Sequence, residues 1–280
     1  MLSFVQTFVI ATLAFTSAAN YANFRKIVSF GDSLTDNGNG AFVLTNGLYP
    51  PPPYYKGRFS NGPTFIELTA AALNLTLDNR AVGGATADSS KIPAVYYLSA
   101  TNTFKPPSVA EQVSSYLKQT RGFNRDRTLF TILVGGNDDK INTKLRLNKT
   151  GTDIATSIYN QWEALAKGGA SNIVTIVQPF QATPFLVDYN LQLHKLAYKF
   201  KECYPKANLG LYEFPGLAST VLAAPLAFGF EHGVFDPCLN GGNLCANPDK
   251  YLAFDTTPHP TAAFHRVISA SFVDFIRKWY

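Results

Sequence analysis

The sequence predicts an α/β fold in which a five-stranded parallel sheet is covered by helices on both faces. Three observations carry this expectation. Short runs rich in β-branched and aromatic residues alternate along the chain with segments whose apolar residues recur at helical spacing. The first run and that over 128–134 are rich in apolar residues, as strands buried on both faces must be. No linker, internal repeat or shift in composition divides the 280 residues, so one domain is expected.

Composition bounds the rest. With 46% hydrophobic and 15% charged residues the chain can bury a full core. The net charge of +5 is small and the Lys and Arg residues are scattered, which argues against a nucleic-acid footprint. Residues Met1 to Ala19 form an apolar run closing on Ser17-Ala18-Ala19, and this reads as a secretory signal peptide over 1–19 that leaves 20–280 as the domain. The run lacks a basic n-region, and a retained anchor is its alternative reading. Its apolar core is short for a bilayer and no other stretch is longer, so no stable membrane anchor is expected. The sequons at Asn74 and Asn148 fit a secreted glycoprotein. Cys238 and Cys245 bracket a Gly-containing loop suited to a disulfide, which leaves Cys203 unpaired; the spacing matches neither a zinc knuckle nor a redox pair.

The first strand, about Ile27 to Phe30, breaks at Gly31 and delivers Asp32 and Ser33 into residues that favour turns and caps. A strand end opening onto a helix start is where open α/β sheets place their chemistry. A capping serine in an ordinary turn is the plain alternative when this stretch is taken alone. The proline-rich passage from Gly47 to Pro63 must be extended loop, and it brings Tyr54 and Tyr55 near Ser33 in sequence as candidate substrate-binding aromatics.

A helix is expected from Thr64 to Asn74, a short strand from Leu75 to Asp78, and a Gly83-Gly84 break after it. Ser89 to Pro107 reads as irregular, Ser108 to Gln119 as helix and Thr128 to Val134 as buried strand. That strand ends at Gly135-Gly136-Asn137-Asp138, where Asp138 is expected to anchor a loop. Helix 152–167, strand 172–177, helix 185–203 and strand 208–214 continue the alternation. The apolar stretch from Gly216 to Phe230 reads as one more core helix, and the final helix follows Asp255-Thr256-Thr257-Pro258-His259-Pro260-Thr261.

Strand ends therefore offer Ser33, the Gly83-Gly84 pair and Asn137, while His259 enters just before the last helix. A serine hydroxyl is a weak nucleophile at neutral pH and needs a base such as imidazole, itself oriented by a carboxylate. The developing oxyanion needs aimed donors, which the N–H groups of Ser33 and Gly84 and the Asn137 amide would supply.

Gly31-Asp32-Ser33-Leu34, Asn79-Arg80-Ala81-Val82-Gly83-Gly84, Gly135-Gly136-Asn137-Asp138 and His259-Pro260, in that order, resemble the four blocks of the GDSL, or SGNH, hydrolases. The resemblance spans nearly all of the mature chain. It implies a flavodoxin-like three-layer α/β/α sandwich with esterase or lipase activity and no cofactor. Residue by residue it implies Ser33 as nucleophile and first oxyanion donor, Gly84 as second donor with Gly83 as fallback, Asn137 as third, and His259 as base.

The family's last block has Asp three residues before His, whereas here Asp255 lies four before it and position 256 is Thr. Asp255 is the expected third member; a backbone carbonyl, Asp236 or Asp249 are the alternatives. A metal site from Asp255, His259 and His265 lacks a recognised ligand pattern. His194 is expected to be solvated, and His232 and His265 to be structural.

The Tyr-Pro-Pro and Gly-Arg-Phe-Ser-Asn-Gly-Pro passages resemble secreted fungal members, including acetylesterases of carbohydrate esterase family 16. The leading expectation is thus a secreted, monomeric serine esterase acting on acetyl esters of plant cell-wall oligosaccharides. A lipase or phospholipase for longer acyl chains, acyl transfer by the same residues, and a non-catalytic carbohydrate-binding protein are the rivals.

Overall fold

The computed structural model describes residues 24–120, 122, 125–179 and 183–280; the signal peptide expected over 1–19 lies outside the described residues. Strand β1 (Lys26–Gly31) leads into a polar turn and a short helix α1 (Ala41–Leu44). Helix α2 (Phe65–Ala72) and strand β2 (Thr76–Asn79) follow, then a two-stranded ribbon of β3 (Tyr96–Tyr97) and β4 (Thr103–Phe104). Next come α3 (Val109–Gln119), β5 (Thr128–Leu133), α4 (Gly136–Leu145), α5 (Gly151–Lys167) and β6 (Asn172–Ile176). The chain closes with α6 (Pro184–Cys203), β7 (Asn208–Tyr212), α7 (Phe214–Ala223), a small hairpin of β8 (Leu239–Asn240) and β9 (Asn243–Leu244), and α8 (Ala262–Trp279).

The five long strands make one parallel sheet in the order β2-β1-β5-β6-β7, as the alternation of apolar runs and helices predicts. Because side chains alternate along a strand, each strand feeds two cores. Val28, Phe30, Phe130 and Ile132 face α3, α5 and α6, where Trp162 is fully buried and its indole N–H donates to Thr175 Oγ1 at 2.7 Å. Ile27, Leu129, Leu133, Val174 and Ile176 face the opposite core, built largely from α2, α7 and α8. Reciprocal caps start the helices: Ser108 with Glu111 on α3, and Thr150 with Asp153 on α5.

This strand order puts a topological switch point between β1 and β5, since the chain leaves the two strands toward opposite edges of the sheet. Clefts of open α/β sheets form there, at the carboxyl ends of the strands. Ser33 follows β1 and Asn137 follows β5, so both lie at that cleft.

The structure differs from expectation in several elements: the ribbon of β3 and β4 stands in the segment expected to be irregular, and the strand expected over 208–214 ends at Tyr212. The single core helix expected over 216–230 is α7, which stops at Ala223, followed by a separate 3-10 turn from Pro225 to Phe228. Pro225 cannot continue an α-helix, and the turn it starts leaves Leu226 75% exposed, outside the core. The expected loop after Gly135 is instead helix α4, whose polar composition hid it from apolar periodicity.

Candidate active site

The turn after β1 is fixed from three sides. Gln112 on α3 clamps the strand end, accepting the Gly31 N–H and donating to the Gly31 carbonyl, each at 2.9 Å. Asp32 accepts the Leu34 N–H at 3.0 Å. Asp36 accepts the N–H groups of Gly38, Gly40 and Ala41 and, across to the next block, that of Gly83 at 2.7 Å. Asp36 is therefore more than a local cap, because it joins the first two strand-end segments.

That bond also distinguishes the two glycines. Gly83 spends its N–H on Asp36, whereas among the described residues the N–H groups of Ser33 and Gly84 have no acceptor. Gly84 has φ +87°, in the left-handed region, and a Cβ there would press into the ring of Tyr96, so the position needs glycine. Asp138 holds the same loop by accepting the Ala87 N–H at 3.1 Å. Asn137 stands in the first turn of α4; its amide donates to the Ala85 carbonyl at 3.0 Å, and its side chain lines the cleft.

On the other side of Ser33, the segment before α8 presents the imidazole. His259 Nε2 lies 2.8 Å from Ser33 Oγ, and Nδ1 lies 2.6 Å from Asp255 Oδ2. With Nδ1–H donating to the carboxylate, Nε2 is free to accept the serine proton. The one-residue-longer spacing folds as a turn: Asp255 Oδ1 accepts the Thr257 N–H at 2.9 Å, the Thr257 hydroxyl at 2.7 Å and the His259 N–H at 3.3 Å. Burial alone would raise the Asp255 carboxyl; the donors and charge of His259, with Tyr54 and Thr257, outweigh it and hold the carboxyl well below the usual range.

The alternative carboxylates are engaged elsewhere, Asp236 with His232 at 2.6 Å and Asp249 with Arg266 at 3.2 Å. His265 is buried and accepts the Phe65 N–H at 3.0 Å. Burial, with the charge of His259, pushes it down to about 3. His194 is partly exposed beside Glu213. Among the described residues no group of three or more His, Cys, Asp or Glu is placed to hold a metal ion.

Beneath the donors lie two buried acids. Burial pushes Asp32 up to about 6 and Asp138 up to about 7, the latter also through repulsion from Asp32.

Ser33, Gly84, Asn137 and His259 all open onto one cavity of about 390 Å³. Its walls are mostly apolar: Leu34, Tyr49, Phe59, Tyr96, Leu186, Val234 and Phe235. Tyr54 and Tyr55, expected from sequence to bind substrate, do not line it. The Tyr54 hydroxyl turns inward to Asp255 at 2.5 Å, and Tyr55 lies outside against Lys56 and Arg58. Tyr49, Phe59 and Tyr96 take the wall positions instead, and no periodic signal in the sequence marks them out.

Cys238 and Cys245 form a disulfide, and Cys203 is free and exposed. Asn74 and Asn148 are both exposed.

The family model for GDSL-like lipases and acylhydrolases matches residues 27–272. The chain belongs to this family. One relative, the thermolabile hemolysin of Vibrio parahaemolyticus, is 30% identical over 89% of this chain, which spans 63% of that relative's length. An acetylesterase of Hypocrea jecorina is 22% identical, over 91% of this chain and 89% of its own. An acetylxylan esterase structure from Geobacillus stearothermophilus superposes over 90% of this chain and 94% of its own with a TM-score of 0.51, at 13% identity, a likeness of fold alone.

The donor geometry gives this GDSL-family chain a quantitative expectation. Asn137→Ala should lower kcat for a nitrophenyl ester by about 10²–10³, since one oxyanion donor is worth about 3 kcal/mol. KM and the far-UV spectrum should stay close to the parent, because α4 keeps its own backbone bonds.

Proposed function

We propose that the enzyme hydrolyses esters through an acyl-enzyme on Ser33. The Ser33 hydroxyl gives its proton to His259 Nε2 as Oγ attacks the ester carbonyl, and Asp255 stabilises the imidazolium. The oxyanion is received by the Ser33 and Gly84 N–H groups and the Asn137 amide. His259 then protonates the departing alcohol, and a water deprotonated by His259 releases the acid. The observation that supports this reading most is the unbroken run Asp255 Oδ2, His259, Ser33 Oγ at 2.6 and 2.8 Å, opening beside unpaired donors.

For the substrate we propose an acyl group longer than acetyl. A cavity of about 390 Å³ with mostly apolar walls is in the range that accepts a drug-sized ligand, far more than an acetyl group fills. Burying each added methylene is worth about 0.8 kcal/mol, roughly fourfold in kcat/KM until the cavity is full. A nitrophenyl ester series is thus expected to climb from acetyl to beyond about six carbons. Acetyl esters of cell-wall oligosaccharides are the second reading, favoured by the acetylesterase of Hypocrea jecorina, which matches over nearly its whole length. A rate that peaks at acetyl, with fast release of acetate from acetylated xylo-oligosaccharides, would replace the first reading by the second.

Export to an oxidising compartment is part of the proposal. The Cys238–Cys245 disulfide and the exposed sequon residues Asn74 and Asn148 support it. Among the described residues no helix is long and apolar enough to cross a membrane.

A further inference from the structure

We infer that Tyr54 is a positioning residue for ester hydrolysis: its hydroxyl shares Asp255 Oδ2 with the His259 ring and so sets how firmly the carboxylate holds the imidazole proton. The inference rests on the Ser33, His259 and Asp255 reading given above.

The two donors meet on one oxygen, the Tyr54 hydroxyl at 2.5 Å and His259 Nδ1 at 2.6 Å. The other oxygen is already held by three donors from the 255–259 turn itself. A carboxylate offers about four lone-pair sites, so Asp255 is saturated without any surplus for solvent. Tyr54 is not needed to keep the carboxylate in place, because the turn does that. What it alters is the charge left on Oδ2 for the imidazolium.

The hydroxyl is aimed by packing. The Tyr54 ring meets Phe254 edge-on at 5.2 Å and Phe59 at 6.0 Å, and Phe59 in turn flanks the His259 ring at 5.3 Å. Two further bonds tie the Tyr54 loop to the histidine segment: Ser60 Oγ donates to the Pro260 carbonyl at 2.8 Å, and the Ala262 N–H donates to Asn61 Oδ1 at 2.7 Å. Burial, then the bond to Asp255, pushes the Tyr54 phenol far above its ordinary range, so it remains a donor at every working pH. The other titratable groups that act on the pair are Asp32 and His265 toward His259 and Tyr49 toward Asp255, and a change at Tyr54 leaves them in place.

The test is the acid limb of the kcat/KM profile. In Tyr54→Phe, Oδ2 is no longer shared and holds the imidazolium proton more firmly, so the limb should move up by about 0.5 to 1 pH unit. KM should be unchanged and plateau kcat should fall less than about tenfold. Difluorotyrosine placed at position 54 keeps the ring and donates more strongly, so it should move the limb down; it serves equally if Tyr54→Phe does not accumulate as folded protein. In an Asp255→Asn background, Tyr54→Phe should change neither kcat/KM nor the limb, because the shared oxygen is gone. An acid limb that stays put in both Tyr54 variants, with Asp255→Asn strongly impaired, overturns the role of Tyr54 alone. Parental activity in Asp255→Asn overturns the triad beneath it.

Discussion

Replacing Ser33 by alanine is expected to lower kcat on the order of a millionfold, the loss seen when the nucleophile of an integrated triad is removed. Among the described residues the side chain has one partner, His259 Nε2 at 2.8 Å, and it sits at the end of a turn held by Gln112, Asp32 and Asp36. Deleting Oγ therefore removes the attacking atom without loosening the segment that carries it. The Ser33 and Gly84 N–H groups and Asn137 remain, so a residual rate above the uncatalysed one should persist. A nitrophenyl ester assay beside a thermal melt checks both halves: turnover about a millionfold down yet above the uncatalysed rate, and a Tm close to the parent.

Asp255→Asn is expected to cost about 10⁴ in kcat, although the asparagine has almost the same shape. An amide NH₂ facing His259 Nδ1 would force that nitrogen to accept, which puts the ring proton on Nε2, where it points at Ser33 and cannot take the serine proton. Because the Asp255 carboxyl is held well below the usual range, it stays ionised throughout the working pH, and the acid limb of activity is not its own titration. The sign for stability follows: a depressed carboxyl contributes stability that is fully present above about pH 4 and fades as pH falls toward its folded value. The variant should thus also melt lower than the parent at neutral pH and lose that difference in acid. Single-turnover kinetics and melts at two pH values read both effects.

Much of this arrangement is legible in the residues themselves. The strand runs are legible because a two-sided sheet demands apolar character, and the three glycine breaks because each ends such a run and is followed by polar residues. Ser33, Asn137 and His259 lie at those breaks or just before the last helix, so sequence order alone places them at one end of the sheet. The contacts that join distant segments were hidden. The Asp36 bond to the Gly83 N–H spans 47 positions, and Tyr54, which reads as a substrate-binding aromatic, instead meets Asp255 across 201. Helix α4 was hidden for a different reason, since a polar helix at a cleft lacks the apolar stripe that marks a helix packed on a core. The spacing of Asp255 from His259 looked like a weakness; the Thr257 donors show how a four-residue turn delivers the same contact.

Covalent trapping tests the central claim, that Ser33 is a nucleophile activated by His259, most directly. A fluorophosphonate should label the parent enzyme once per chain, with the adduct on the peptide carrying Ser33 and activity lost in step. Labelling should vanish in Ser33→Ala and slow by several orders of magnitude in His259→Ala, because the hydroxyl then lacks its base. An active enzyme that loses activity with the adduct on another residue, or whose unlabelled Ser33 peptide persists after full inactivation, would contradict the account.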